Sequence, residues 1–301
     1  MSGNYDGARE VMGELWIGVG EQPQLSGLAR SISAEVLLRA GSLTGHLGSI
    51  KQFEGAQELA KNLISKSIAI FAELNDSKKV AEARADLAVC YWREGAYDEA
   101  RIILKEALIS LTKEDTEIKA IALYRSAFVE KLLTHYNDAL QLYMEAAPFF
   151  ERINNDSFKG RFYNGFANLL VLLAQNENRY DYRDRAFIEF AAASYHFEQA
   201  GNGRLQACVE NNLGFLFCTI GKFAEAHEHL DRAQALFTSL KDNVHLAQVD
   251  ETRGRVFLRE GRTADAERFA RAAVQVLERG GEQSLLAEAL TTHGVTLARL
   301  G

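Results

Sequence analysis

Residues 81–108 read AEARADLAVCYWREGAYDEARIILKEAL, and this stretch decides the fold. In its first half Leu87 and Tyr91 are four residues apart, which is the spacing of one face of an α-helix. Gly95 then interrupts the pattern, and a second run resumes it with Ala100 and another alanine seven residues later. The stretch therefore predicts two amphipathic helices joined by a tight turn at the glycine.

The same pattern returns along the whole chain. The first alanine after each turn recurs at intervals of 40, 39, 47, 40 and 40 residues, at Ala60, Ala100, Ala139, Ala186, Ala226 and Ala266. A small residue also stands upstream of the turns, for example Ala88 and Gly214, and small contact residues let two helices approach to about 8 Å. Such a period indicates a solenoid in which each helix pair buries its apolar face against its neighbours.

This arrangement resembles the tetratricopeptide repeat family. Residues 81–108 match its small residue at the eighth place, its bulky residue at the eleventh, its glycine at the fifteenth, its aromatic at the seventeenth and its two later alanines. The period near 40 departs from the usual value of about 34 and implies longer helices, and the closing proline is absent. The resemblance implies an all-α fold, a right-handed α-α superhelix of about six helix pairs with an unpaired helix at each end.

We expect a single solenoid over residues 1–301. The half-repeats at 1–16 and 282–301 each lack the helix that would complete them. They should therefore expose apolar surface, through which the protein could self-associate. The complete repeats are expected at approximately 31–76, 79–114, 116–154, 156–200, 202–240 and 242–280.

Two repeats carry seven extra residues near their internal turn. Twelve residues separate Gly48 from Ala60, and Ala174 from Ala186, where the other repeats keep five. Either the paired helices are longer there or a loop protrudes. Plain length variation and a specialised contact surface are both compatible with this pattern.

The composition is typical of a helical cytoplasmic protein. There are only two prolines, where average usage gives about 15, so long uninterrupted helices are favoured. The net charge of −7 argues against nucleic acid or an anionic membrane as the main partner. Three scattered cysteines predict reduced thiols, and neither a secretory leader nor a membrane-spanning apolar run is visible.

His227-Glu228-His229 is the one cluster that suggests a metal site or catalysis. Side chains two residues apart on a helix point in different directions, whereas zinc proteases need histidines four apart. Gly18 and Gly20 do not follow a strand, so they fail the dinucleotide-binding fingerprint. We therefore predict no enzyme activity, no cofactor and no metal site.

The resemblance implies a concave groove lined by the first helix of each repeat, and we expect binding between the third and sixth repeats. Asparagines there can pair with an extended peptide backbone, aromatic residues can form side-chain pockets, and arginines can take an acidic group. Alternatively, the asparagines satisfy neighbouring helices and the aromatics pack between repeats. The predicted groove residues are Trp92, Tyr124, Phe128, Arg161, Asn164, Asn168, Asn211, Phe215, Arg255, Arg259 and Arg299.

These observations favour a protein–protein or peptide-binding scaffold whose partner is a protein or a peptide segment. A sensory or regulatory portion of a larger bacterial signalling or transcription regulator, with its output domain outside this sequence, is the alternative. A third interpretation is an accessory array that positions a catalytic domain. The reading frame beyond Gly301 would distinguish the three.

Overall fold

The computed structural model describes residues 5–112, 116–177, 179–280 and 283–301. Within them the chain forms fourteen α-helices, one turn of 3₁₀-helix at Gly13–Leu15 and no strand, which confirms the predicted all-α fold class. The helices are α1 (Tyr5–Met12), α2 (Arg30–Ile50), α3 (Ala56–Glu73), α4 (Ser77–Arg93), α5 (Tyr97–Ile109), α6 (Thr116–Leu132), α7 (Tyr136–Arg152), α8 (Asp156–Asn176), α9 (Tyr180–Gln199), α10 (Gly203–Thr219), α11 (Phe223–Ser239), α12 (Asn243–Arg259), α13 (Thr263–Gly280) and α14 (Gln283–Leu300).

Consecutive helices pack as hairpins, and the first helices of adjacent repeats also touch. The hairpins are α2 with α3, α4 with α5, α6 with α7, α10 with α11 and α12 with α13. Side by side lie α2 and α4, α4 and α6, α10 and α12, and α12 and α14. Because of these two sets of contacts, the first helices α2, α4 and α6 lie side by side on one face. The first helices α10, α12 and α14 are arranged in the same way.

The turns inside the repeats use left-handed backbone, as the glycines predict. Gly95, Gly221 and Gly261 have φ of 82°, 75° and 80°. Thr134 occupies the same place between α6 and α7 with φ of 63°, although a β-branched residue is unfavourable there. The left-handed residue ends one helix and lets the chain reverse into the next.

The turns between repeats cap the helix that follows. Asp76 Oδ1 accepts a hydrogen bond from the Lys79 backbone N–H at 3.0 Å. Equivalent bonds of 3.1–3.2 Å are made by the side chains of Asn155, Asn202 and Asp242. Each bond satisfies a backbone donor that the first helical turn leaves without a partner.

The extra residues of the two long repeats mainly extend helices. In the fourth repeat α8 and α9 have 21 and 20 residues, compared with 17 in each helix of the fifth. In the first repeat α2 has 21 residues, and residues 51–55 form the connection to α3.

The described chain divides into two compact units, Met1–Leu169 and Leu170–Gly301, with the boundary inside α8. In the first unit stacked aromatic rings fill part of the core, with Phe150 and Phe162 centroids 4.2 Å apart. In the second, Leu230 and Phe237 are fully buried. None of the described helices combines the length and apolar character needed to cross a membrane.

Candidate ligand-binding cavities

The first unit holds a cavity of about 690 Å³ on the face formed by its first helices. Its lining comes from α2, α4, α6 and the start of α8, with Tyr5 of α1. On α4 the lining residues recur three and four apart from Lys78 to Arg93, so one face of that helix forms a wall. Four predicted groove residues lie here, namely Trp92, Tyr124, Phe128 and Arg161.

One side of this first-unit cavity is apolar and aromatic. The rings of Trp92 and Phe128 are 5.2 Å apart, centroid to centroid, on neighbouring helices. The Lys131 ammonium lies 5.0 Å from the Phe128 ring, and Ile118 and Ile121 extend the surface along α6. Such a surface suits an apolar side chain of a ligand.

The wall of the cavity contains a buried ion pair. Asp86 Oδ1 lies 2.6 Å from Arg125 Nη1, and Asp86 Oδ2 accepts a hydrogen bond from Ser42 Oγ at 2.5 Å. Burial alone would raise the pKa of Asp86, but the Arg125 charge and the Ser42 hydroxyl hold that pKa below its ordinary value. This contact ties α2, α4 and α6 together and neutralises Arg125.

A second network neutralises the charges nearer α2. Arg39 lies 2.5 Å from Glu35 and 2.6 Å from Glu82, between the oxygen and nitrogen atoms of the pairs. Lys79 contacts the same two carboxylates at 2.9 and 3.0 Å. Two cations and two anions therefore cancel on this part of the lining.

Two arginines on the lining have no such compensation. Arg93 donates from Nη1 to the Gly45 carbonyl at 2.7 Å and from Nη2 to His46 Nδ1 at 2.6 Å. Burial and the Arg93 charge lower the pKa of His46 to about 3, so the imidazole is a neutral acceptor. The structure shows no hydrogen bond or ion pair between Arg161 and any described residue. The cavity is thus electropositive although the whole chain is acidic.

Two of the three predicted asparagines, Asn164 and Asn168, contact each other on α8. Asn168 Nδ2 donates to the Asn164 backbone carbonyl at 2.8 Å and lies 3.3 Å from the Asn164 side-chain oxygen. In the second unit Asn211 is buried, and its Oδ1 has no hydrogen-bond partner among the described residues. The contacts of Asn168 match the alternative in which asparagines satisfy the helices around them.

The remaining predicted residues belong to the second unit. Phe215, Arg255 and Arg259 line a cavity of about 460 Å³ together with Arg183, which is absent from the predicted groove residues. Arg299 instead donates from Nη1 to the Leu258 carbonyl at 3.2 Å. Arg183 occupies the repeat place at which Tyr97 and Phe223 stand in other repeats. A charged residue at a place that is otherwise aromatic is the sequence signal that the groove prediction did not use.

The histidine cluster divides between two neighbours. His227 Nε2 lies 3.0 Å from Glu260, whereas His229 Nδ1 lies 2.8 Å from Glu210. The two imidazoles thus face different carboxylates, as their spacing predicts. Elsewhere in the described residues, possible metal ligands come together at Glu130, His135 and Asp138, and His135 Nδ1 already pairs with Glu130 at 2.8 Å.

The ion pair of Asp86 and Arg125 has a sequence signal that the groove prediction did not include. Arg39, Asp86 and Arg125 are 47 and 39 residues apart, so they occupy the same place in three successive repeats. Equivalent places of adjacent first helices face each other in a stacked array. Opposite charges at one place of two successive repeats therefore indicate an ion pair, which Asp86 and Arg125 form, whereas Arg39 pairs with Glu35 and Glu82.

Comparisons with known proteins agree with this architecture. Residues 205–279 match the sequence profile described as tetratricopeptide repeat, whereas no curated protein sequence matches the chain significantly. Among solved structures, BtubC (BKLC) from P. vanneervenii is 18% identical with a TM-score of 0.57, over 84% of this chain and 93% of that one.

Two further solved structures have similar folds. A Rap protein complexed with Competence and Sporulation Factor is 16% identical with a TM-score of 0.58, over 88% of this chain and 76% of that one. A signal transduction ATPase with numerous domains (STAND) with a tetratricopeptide repeat sensor, from Pyrococcus horikoshii, is 13% identical with a TM-score of 0.61, over 87% of this chain and 40% of that one. Residues 205–279 thus belong to the tetratricopeptide repeat family, and the helix hairpins of the described residues have the fold of these solved structures.

Proposed function

We propose that this protein is an interaction module that binds a peptide segment of a partner in the first-unit cavity. The observation that carries the proposal is an aromatic wall beside two guanidinium groups, those of Arg93 and Arg161, that no described carboxylate neutralises. A volume of about 690 Å³ accommodates a few side chains. The lining therefore suits a segment that carries an acidic residue next to an apolar one.

The comparisons support a binding role for this fold. The Rap protein was solved with Competence and Sporulation Factor bound, so an array of similar fold receives a partner in that protein. Since the likeness in sequence is only 16%, the ligand of the Rap protein is not carried over. The chemistry of the present cavity defines the ligand we propose.

A regulatory role within a larger protein is the second candidate. The likeness to the STAND protein favours it, because tetratricopeptide repeats act there as a sensor and the matched part is 40% of that chain. The bound segment would then be the signal, and the output would come from a domain outside this sequence. A DNA-binding or catalytic domain in the same reading frame would support this role, and a reading frame without one would contradict it.

A random dodecapeptide library displayed on phage, selected against the whole chain, tests the binding proposal. We expect the enriched peptides to pair an acidic with an apolar residue. For a synthetic copy of an enriched peptide, Arg161→Glu should weaken binding by about tenfold or more, because it reverses a charge that faces the ligand. Phe128→Ala should also weaken binding, through loss of the apolar contact.

Arg268→Glu is the matched control, because Arg268 is an exposed arginine on α13 of the other unit. It should leave the affinity unchanged. Circular dichroism and melting temperature establish that each variant is folded. The proposal is wrong if no sequence is enriched, or if a folded Arg161→Glu protein binds the selected peptides as well as the wild type does.

A further inference from the structure

The cavity of the second unit is dominated by arginine. Arg255 and Arg259 are four residues apart and therefore on one face of α12, and Arg183 comes from α9. The rest of the lining comes from α8 and α10 and is mainly apolar, with two neutral polar side chains. Its members are Val171, Ala174, Gln175, Phe215, Leu216 and Thr219. We refer to this site as the arginine cavity.

Two of the three guanidinium groups are held by aromatic rings. The guanidinium carbon of Arg255 lies 4.0 Å from the centroid of the Phe215 ring, and that of Arg183 lies 4.9 Å from the Tyr180 centroid. Stacking uses the flat face of the group and leaves its N–H donors, which point outward in the plane, free for a ligand. An aromatic ring therefore fixes the position of a guanidinium without occupying its hydrogen-bonding edge.

Other arginines of the second unit combine a ring contact with a carboxylate partner, as Arg262 does over the Phe257 ring at 4.3 Å from its centroid. Arg253 lies 2.7 Å from Asp231, and Arg262 lies 2.7 Å from Asp265. In both, a carboxylate occupies the donors of the guanidinium. Arg183 and Arg259 have no such carboxylate partner among the described residues, and Arg299 likewise donates only to the Leu258 carbonyl.

The positive charge of the arginine cavity is poorly compensated. Glu251 Oε1 lies 3.9 Å from Arg255 Nε, but it accepts a much shorter hydrogen bond, 2.5 Å, from Thr292 Oγ1. Burial raises the pKa of Glu251, which disfavours its charged form. No described carboxylate lies within ion-pair distance of Arg183 or Arg259. Three cations with one distant anion are unusual in a chain whose net charge is −7.

We propose that the arginine cavity binds a phosphate monoester. A phosphate monoester carries close to two negative charges and three terminal oxygens, which matches three planar, bidentate donors. A single carboxylate offers one charge and two oxygens, and would leave one guanidinium without a partner. The apolar lining, in particular Val171 and Leu216, suits the group esterified to the phosphate. The ester is therefore a small molecule or a phosphorylated side chain.

Titration of the whole chain with phenyl phosphate tests this proposal, with benzoate as the carboxylate of similar shape. Calorimetry gives the affinity, and the side-chain Nε–Hε resonances of the arginines report the site. We expect benzoate to bind at least tenfold more weakly than phenyl phosphate. Arg255→Gln and Arg259→Gln should each weaken phenyl phosphate binding by about tenfold or more, since each removes one bidentate contact to a dianion.

Two control variants distinguish binding in the arginine cavity from binding elsewhere on the protein. Arg268→Gln, on the same unit but outside the cavity, should leave the affinity for phenyl phosphate unchanged. Phe215→Leu keeps an apolar side chain but removes the ring under Arg255, and we expect weaker binding with an unchanged melting temperature. The site does not depend on the first-unit cavity, so Arg161→Glu should not affect it.

A short peptide with one phosphoserine forms the second arm of the experiment. Tighter binding than phenyl phosphate, lost in Arg255→Gln, identifies a phosphorylated side chain as the source, and equal or weaker binding identifies a small phosphate ester. The proposal is overturned if phenyl phosphate does not bind, if benzoate binds equally well, or if folded Arg255→Gln and Arg259→Gln proteins keep the wild-type affinity.

Discussion

His46 illustrates what a single buried residue contributes to stability. Its ring stacks on Tyr5 with centroids 4.4 Å apart and accepts a hydrogen bond from Arg93. Burial, the Arg93 charge, and the more distant Arg125 and Arg161 lower its pKa to about 3, opposed by the nearby Asp86 carboxylate. The native state therefore keeps His46 neutral, whereas the unfolded chain protonates it below a pH of about 6.5.

The sign of the resulting pH dependence follows from proton binding. Between pH 6.5 and 3 the unfolded state holds the proton and the native state does not, so the free energy of unfolding falls as the pH falls. The slope is about 1.4 kcal/mol per pH unit at most. Urea unfolding from pH 7.5 to 4.5 should show the wild type losing about 2 kcal/mol more than His46→Gln.

His46→Gln keeps a neutral polar side chain at this place, so the difference between its stability curve and that of the wild type measures the proton that His46 binds. Parallel stability curves for the wild type and His46→Gln would contradict the assignment. His46 has an ordinary sequence context, and only its burial beside Arg93 makes it sensitive to pH.

At the scale of the helix, the small residue of the eighth place controls how closely two helices pack. A Cβ added to Gly214 would lie 2.8 Å from Leu230 Cγ and 3.1 Å from the Ala226 carbonyl oxygen. At Gly294, the same place in the next-but-one repeat, an added Cβ meets nothing within 4 Å. Two chemically identical substitutions should therefore have opposite effects.

We expect Gly214→Ala to lower the free energy of unfolding by about 1–3 kcal/mol, because the added methyl group overpacks the α10–α11 contact. Gly294→Ala should raise that free energy by up to about 1 kcal/mol, since alanine is the better helix former and has room in α14. Thermal or urea unfolding of the two variants measures both effects. The packing argument fails if Gly214→Ala is as stable as Gly294→Ala.

At the scale of the whole molecule, α14 exposes several apolar side chains. It buries Ala289, Thr292 and Thr296, whereas Leu290 and Leu297 are each 48% exposed. Those two leucines are two helical turns apart and therefore lie on one face. Exposed apolar faces of this kind promote association between molecules.

We expect weak self-association through this face of α14. The double variant Leu290→Gln, Leu297→Gln should reduce the weight-average mass at high protein concentration, as measured by light scattering. Leu240→Gln is the control, because Leu240 has the same exposure, 48%, but lies outside α14. A wild-type protein that stays monomeric at all concentrations, or association that survives the double variant, would contradict this prediction.

The repeat architecture could be predicted because its determinants are local. Helical periodicity, the alanine after the turn and a left-handed residue such as Gly95 act within about 30 residues, and the period shows how many such units there are. Thr134 adopts the left-handed conformation that glycine has in the other turns. The repeat register could still be identified there, because Ala139 marks the first alanine after the turn. The seven extra residues of the first and fourth repeats could be located from the sequence. Whether they lengthen helices or form a loop could not be predicted, because their residue pattern is compatible with both.

The candidate sites could be predicted only in part. Carrying repeat places along the chain put Trp92 and Phe128 on the first-helix face, where both line the first-unit cavity, because a place on a helix fixes which face a residue occupies. It could not show that Asn211 is buried or that Asn168 bonds to its own helix. Burial and hydrogen-bond partners depend on the packing of each side chain among its neighbours.

By itself, then, the sequence determined the all-α repeat, its period and the helix faces, because these follow from short-range geometry. The tertiary structure alone decided which charges are neutralised. Asp86 compensates Arg125 across 39 residues, whereas Arg93 finds only a carbonyl and a neutral imidazole, and Arg255 rests on an aromatic ring. Ionic interactions depend on the distance between side chains from different helices, and that distance is set when the repeats stack.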